Sequence, residues 1–209
     1  EAFNTELVCE DRYAIFTENH IESGSIRRWH DTIDNLPRCH PTKGPWIAGG
    51  SVRRLLNEDN PFTADIDYFV TDKQQHHLLC ARFETMDANL VIDGKHFTQY
   101  ALPSLDLTCQ VIKTRYRNTI YEHMDEFDFN LCQTGFDGEK FWVSVNAWKD
   151  MTTKTVNCTG AFHYPLGSLT RLAKYFAQGY EPGPNTLRHI LIACNNGKIP
   201  NEKTYGEDT

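Results

Sequence analysis

A chain of 209 residues with 40% apolar content is long enough for one substantial core and carries no compositional sign of disorder. Its formal charge of −7 argues against a long nonspecific nucleic-acid surface built on many phosphate contacts, while leaving room for a small basic cleft. No apolar run approaches the roughly 20 residues of a membrane helix and no signal peptide opens the chain, so the expectation is a cytoplasmic protein that does not engage a membrane.

Tyr13, Ile15 and Phe16 read as a strand or short extension packed on the domain. Ser25 is the expected N-cap of a helix from Ile26 to Leu36, with Ile26, Trp29, Ile33 and Leu36 at helical spacing before Pro37. A loop over 37–45 leads to the apolar run Trp46-Ile47-Ala48, the turn Gly49-Gly50-Ser51, and an amphipathic segment with paired Arg53 and Arg54. Asp65-Ile66-Asp67-Tyr68-Phe69-Val70 predicts a second strand, and Thr71 or Asp72 caps a helix that runs to about Met86, with His76 and His77 as surface or partly packed side chains rather than ligands. Strands are predicted for Leu90 to Ile92, His96 to Ala101 and Leu105 to Lys113, the first two joined by a turn at Asp93-Gly94. Arg115 to Asp125 predicts a helix, Phe127 to Cys132 a strand, and Phe141 to Val145 another strand after the Asp137-Gly138 turn. Pro165 opens a helix ending near Gly179, with Leu166, Leu169, Leu172, Ala173 and Phe176 on its expected packing side, and a short helix over Thr186 to Cys194 follows. The interleaving favours an α+β or α/β sheet domain over a bundle. Seven cysteines, odd in number and without a C-x-x-C pair, fit buried thiols in a reducing compartment.

The chemistry concentrates at two places. A strand that turns through Gly49-Gly50-Ser51 into a helix offers free backbone N–H groups, and glycine lets that backbone approach a triphosphate closely. Thirteen residues beyond Val52, Asp65 and Asp67 alternate along a strand and so share a face, where two carboxylates repel and a divalent cation relieves them.

Together these motifs resemble the nucleotidyltransferase superfamily of polymerase beta, and within it the tRNA nucleotidyltransferase and poly(A) polymerase branch, where a Gly-Gly-x-Val-Arg-Asp loop precedes an Asp-x-Asp strand. Gly49-Gly50-Ser51-Val52-Arg53 matches that loop, but Arg54 stands where the branch has aspartate. Pro165 to Phe176 is similar to the branch's following helix, whose basic residues face the nucleotide; Arg171 takes the place of the first arginine and Lys174 of the second. The resemblance implies an α+β fold: a mixed β-sheet nucleotidyltransferase core over 1–160 with flanking helices, and a short helical C-terminal appendage over 161–209 packing on the nucleotide cleft.

The implied reaction is transfer of a nucleoside monophosphate from an NTP to a hydroxyl, with pyrophosphate released and two Mg²⁺ ions at the displacement. Asp65 and Asp67 would hold both ions, supported by a third carboxylate. Asp128 is the first choice for it, favoured by the Phe-Asp strand start of smaller viral-type members, and Asp106 is the second. Gly49, Gly50, Ser51, Arg53, Arg171 and Lys174 would bind the triphosphate, ATP or another NTP. The branch's base-reading Glu-Asp-x-x-Arg segment and its tRNA-holding neck, body and tail have no counterpart in these residues. An RNA acceptor is therefore expected to be held near its 3′ end, with Tyr175 or Tyr180 stacking on bases. A protein hydroxyl as acceptor, or a noncatalytic nucleotide- or RNA-binding module on the same fold, are the alternatives.

Overall fold

The order of elements puts the predicted turn and carboxylate strand at the middle of a sheet. The computed structural model describes residues 6–8, 12–17, 21, 23–57 and 59–196. Strands β1 (Glu6–Val8) and β2 (Tyr13–Phe16) precede helix α1 (Ser23–Ile33), and β3 (Trp46–Ala48) runs directly into α2 (Gly50–Leu56). Next come β4 (Ile66–Phe69), α3 (Lys73–Glu84) and a meander of β5 (Asn89–Asp93), β6 (Phe97–Leu102) and β7 (Leu107–Ile112). They are followed by α4 (Ile120–Asp125), β8 (Thr134–Phe136), β9 (Phe141–Ser144) and α5 (Val145–Thr153). The last part comprises β10 (Thr155–Val156), α6 (Pro165–Ala177), β11 (Glu181–Pro182) and α7 (Thr186–Asn196). Nine strands make one sheet in the order β1-β2-β9-β8-β3-β4-β7-β6-β5. Neighbours are antiparallel except β4 and β7, which run parallel, so the fold is α+β with a mixed sheet. No helix among the described residues is long and apolar enough to cross a membrane.

Strand alternation divides the core. Ile47, Ile66, Tyr68, Cys109 and Val111 point to one face and pack with Trp29 and Ile33 of α1, Val52 and Leu55 of α2, and Leu79 and Phe83 of α3. Each fully buried aliphatic side chain there contributes about 1.5–3 kcal/mol. Tyr13, Trp46 and Ala48 point to the other face, where Ile120 and Met124 of α4 cover them. Helix α4 lies so close to β8 that a Cβ at Gly135 would stand 2.7 Å from Ile120 Cδ1. Leu172, Tyr175, Tyr180 and Ile190 join the larger core, so α6 and α7 are packed into it.

Several predicted elements shift. Helix α1 starts at Ser23, which puts Ser25 inside it, and ends at Ile33, although Leu36 is still buried. Helix α4 starts at Ile120 rather than near Arg115, because Thr119 and Glu122 form a reciprocal capping box. The strand expected over Phe127 to Cys132 does not form. Phe129 makes one bridge, to Cys158, and Asn130–Cys132 coil into a 3-10 turn, with Asn130 tied to Asn157 through its backbone and to Asp150 through its side chain. The helix α5 was not anticipated; its signal is Ser144, whose hydroxyl accepts from the Ala147 N–H. Helix α6 is rotated from its expected packing side: Ser168, Leu172 and Tyr175 are its buried stripe, while Leu166 and Phe176 are exposed.

His123 on α4 is buried between the rings of Trp46 and Phe69, at centroid distances of 5.6 and 5.1 Å. Burial, and then the charge of Arg117, push its pKa down to about 4. The unfolded chain protonates this ring near pH 6.5 and the folded one does not, so stability is complete above pH 6.5 and falls as the pH drops toward 4. Urea denaturation at pH 7 and pH 5 should show about 2 kcal/mol of loss that His123→Phe removes. An unchanged pH dependence in that variant would refute the assignment.

Candidate active site

Gly49 closes β3 at φ 89° and ψ −135°, a conformation open to glycine alone among the standard residues. Its N–H donates to the Thr134 carbonyl at 2.8 Å and its carbonyl accepts from Thr134 Oγ1 at 3.0 Å, so β8 holds the turn in place. A Cβ on Gly49 would lie 4.0 Å from Asp67 Oδ2 and 3.6 Å from Phe127 Cζ. The turn thus runs directly beside the carboxylate. Ser51 is buried, and its hydroxyl has no hydrogen-bond partner among the described residues.

Asp67 lies on β4, on the half-exposed side opposite the buried Ile66 and Tyr68. Burial, and then the charge of Asp65, raise its pKa to about 7, against the fields of Arg54 and Lys174. Burial also raises Asp65, opposed first by Lys174 and then by Arg54. Two crowded, partly desolvated carboxylates with oxygen-only donors fit a hard divalent cation such as Mg²⁺. Among the described residues no group of three His, Cys, Asp or Glu side chains gathers to hold a metal.

The residue beside Asp67 on the parallel strand β7 is Gln110. Its Nε2 donates to Asp65 Oδ2 at 2.7 Å and to Gln99 Oε1 at 3.2 Å. Sequence reasoning missed Gln110, whose only signal is its place in the alternating pattern of Leu107–Ile112. Asp106 is exposed and lies before β7 in a left-handed conformation, four residues from Gln110. At about 3.3 Å per residue that is roughly 13 Å along the strand.

Asp128 is buried, but its company differs from that of Asp65 and Asp67. Oδ2 accepts from Ser168 Oγ at 2.6 Å, from Arg171 Nε at 2.9 Å and from Arg171 Nη2. Arg171 is thereby engaged by a carboxylate. Arg53 is engaged as well: Nη2 donates to Gln178 Oε1 at 2.9 Å, Nη1 to the Tyr180 hydroxyl at 3.3 Å, and the guanidinium lies over the rings of Tyr175 and Tyr180. Tyr175 and Tyr180 are buried in this arrangement, so the expected base stacking on them is not open to a bound RNA in this conformation. Lys174 lies on the exposed side of α6, and its charge opposes the rise in pKa of both Asp65 and Asp67 without a hydrogen bond or ion pair to either among the described residues.

The fold recurs in solved structures. The Thermotoga maritima CCA-adding enzyme complexed with tRNA superposes with a TM-score of 0.56 at 17% identity, over 72% of this chain and 37% of that one. A CCA-adding enzyme in complex with ATP gives 0.57 at 16% identity over 89% and 47%, and one with CTP gives 0.56 at 15% over 86% and 45%. The chain spans less than half the length of those enzymes, and at such identity the likeness shows a nucleotidyltransferase-like fold. No curated protein matches the sequence. The family model described as Gad2, Gabija anti-defense 2 family protein, matches residues 20–154, more than half of the sequence, and the chain therefore belongs to the Gabija anti-defense 2 family.

Proposed function

We propose that this protein is a metal-dependent nucleotidyltransferase that moves a nucleoside monophosphate from an NTP to a hydroxyl, with an RNA 3′ end as the favoured acceptor. The observation that carries the reading is Asp67 set directly beside the Gly49 turn, with Asp65 on the same face of β4. In this reading Gly49, Gly50 and the unpartnered Ser51 hydroxyl contact phosphate oxygens, and Lys174 offsets charge that grows on the leaving pyrophosphate. Asp65 and Asp67 would hold Mg²⁺, which would supply positive charge for phosphoryl transfer there. Gln110 orients Asp65 by its hydrogen bond. Asp128 is held through Oδ2 by Arg171 and Ser168, so a metal-supporting role would fall to its Oδ1.

One observation favours a second reading, a noncatalytic nucleotide-binding module: Gln110 stands beside the pair where an acid would complete it. The family's description as anti-defense, directed at Gabija, is compatible with either, and also with nucleotidylation of a protein hydroxyl. Incubation with each labelled NTP, Mg²⁺, total RNA and total protein separates these. Label on RNA 3′ ends is expected; label on protein moves the acceptor, and no label in any fraction leaves the binding module.

A further inference from the structure

Arg54 occupies the position at which the resembling branch has an acid, and it is buried. Its Nε and Nη2 both donate to the Pro61 carbonyl, at 3.3 and 2.9 Å. Among the described residues it makes no ion pair, so the guanidinium, which keeps its charge, is buried without a carboxylate partner among them. The side chain folds back along α2 in the direction that helical geometry imposes, and Nη1 comes within 3.1 Å of where a Cβ on Gly50 would stand. The guanidinium therefore lies close against the turn. Arg54 also acts through space on both Asp65 and Asp67, as Lys174 does, without closing to ion-pair distance on either. Arg53 next to it is spent on Gln178, Tyr175 and Tyr180. A buried cation with one unused N–H edge, placed at a glycine turn and near two carboxylates it does not bond, is stabilised by an anion that enters between them.

Resting on the nucleotidyltransferase reading, we infer that Arg54, rather than Arg53, is the arginine that binds the nucleotide's triphosphate. With Lys174 it supplies enough fixed positive charge for the site to bind an NTP without a divalent cation. Arginine suits this task because its planar fork keeps two N–H groups on the Pro61 carbonyl and still presents Nη1 to a phosphate oxygen. Metal is then needed for the transfer step more than for binding.

The test is calorimetric titration of the full 209-residue chain with each NTP and with inorganic tripolyphosphate, in EDTA and in Mg²⁺. The wild-type protein is expected to bind an NTP and tripolyphosphate in EDTA. Arg54→Gln should weaken both at least tenfold, and Arg54→Lys, which keeps the charge and loses the fork, should recover part of the affinity. Circular dichroism and thermal denaturation of each variant report whether the Pro61 contact is needed for folding; if Arg54→Gln does not fold, Arg54→Lys carries the test, with an affinity expected to lie measurably below that of the wild type. Binding by wild type only with Mg²⁺, or equal affinities in wild type and the folded Arg54 variants, overturns the inference and leaves the nucleotidyltransferase reading standing. Absence of binding by wild type in either buffer overturns the nucleotidyltransferase reading itself.

Discussion

Asp67→Asn is expected to eliminate nucleotidyl transfer and, at the same time, to make the metal-free protein more stable. Loss of a carboxylate that holds the catalytic cation removes several kcal/mol of transition-state stabilisation, and about 4 kcal/mol corresponds to a rate loss near a thousandfold. The stability gain has a separate origin. Burial and the neighbouring Asp65 raise the folded pKa of Asp67 from 3.8 to about 7. Between those values the folded protein holds a proton that the unfolded chain releases, so this carboxylate lowers stability progressively as the pH rises from 4 to 7 and most above it. Because Asp67 keeps some exposed surface, water screens part of that effect, and a gain of about 1–3 kcal/mol is expected at pH 8 in EDTA. Thermal denaturation should show the gain at pH 8 and its disappearance at pH 4. Transfer activity that survived both Asp65→Ala and Asp67→Ala would sink the site, and a destabilised Asp67→Asn at pH 8 would mark the carboxylate as a structural anchor instead.

The largest loss of stability is expected from Arg171→Ala. Asp128 keeps only 8% of its side-chain surface in solvent, and two of the three donors on its Oδ2 belong to Arg171. Without the guanidinium a buried carboxylate remains with the Ser168 hydroxyl alone; because Arg171 itself is half-exposed, the loss is expected to be about 2 kcal/mol rather than that of a fully buried pair. For a domain of this size the midpoint temperature should drop by roughly 4–8 °C. Adding Asp128→Asn to Arg171→Ala should recover much of the loss, since the stranded charge is then gone, and a double-mutant cycle would report a coupling of at least 1 kcal/mol. Because Ser168, Arg171 and Lys174 ride on the same helix, Arg171→Ala should also raise the KM for NTP. Independent effects of the two substitutions would show that Asp128 and Arg171 do not work as a unit, and would return Asp128 to the metal-supporting role expected from sequence.

The parts of this protein that were legible in the amino-acid order are those set by neighbours in the chain. Trp46–Ala48 followed by Gly49-Gly50 reads as a strand entering a helix because only glycine takes φ 89° there. The shared face of Asp65 and Asp67 follows from the period of a strand. Asp72, which accepts from the Gln75 N–H, was visible as a helix cap for the same local reason. Residues 127–132 misled because Phe and Asp alternate there as in a strand, while the 3-10 turn is held by Asp150 and Asn157, some twenty residues further on. Which charged side chains are available to a nucleotide was likewise outside local reach. Arg53 and Arg54 are adjacent and chemically alike, yet one is bound to Gln178 and Tyr180, more than 120 positions away, and the other lies against its own glycine turn. Asp128 carries the same group as Asp65 but is claimed by Arg171 forty-three positions on, while Gln110 reaches the site through the register of β4 against β7. Sequence by itself determined the turn, the carboxylate strand and the class of fold, because backbone sterics and periodicity act over a few residues. Only the tertiary structure decided which arginines are taken up by protein partners and which acid is claimed by one of them, because a charge is neutralised by whatever packing brings within a few ångströms.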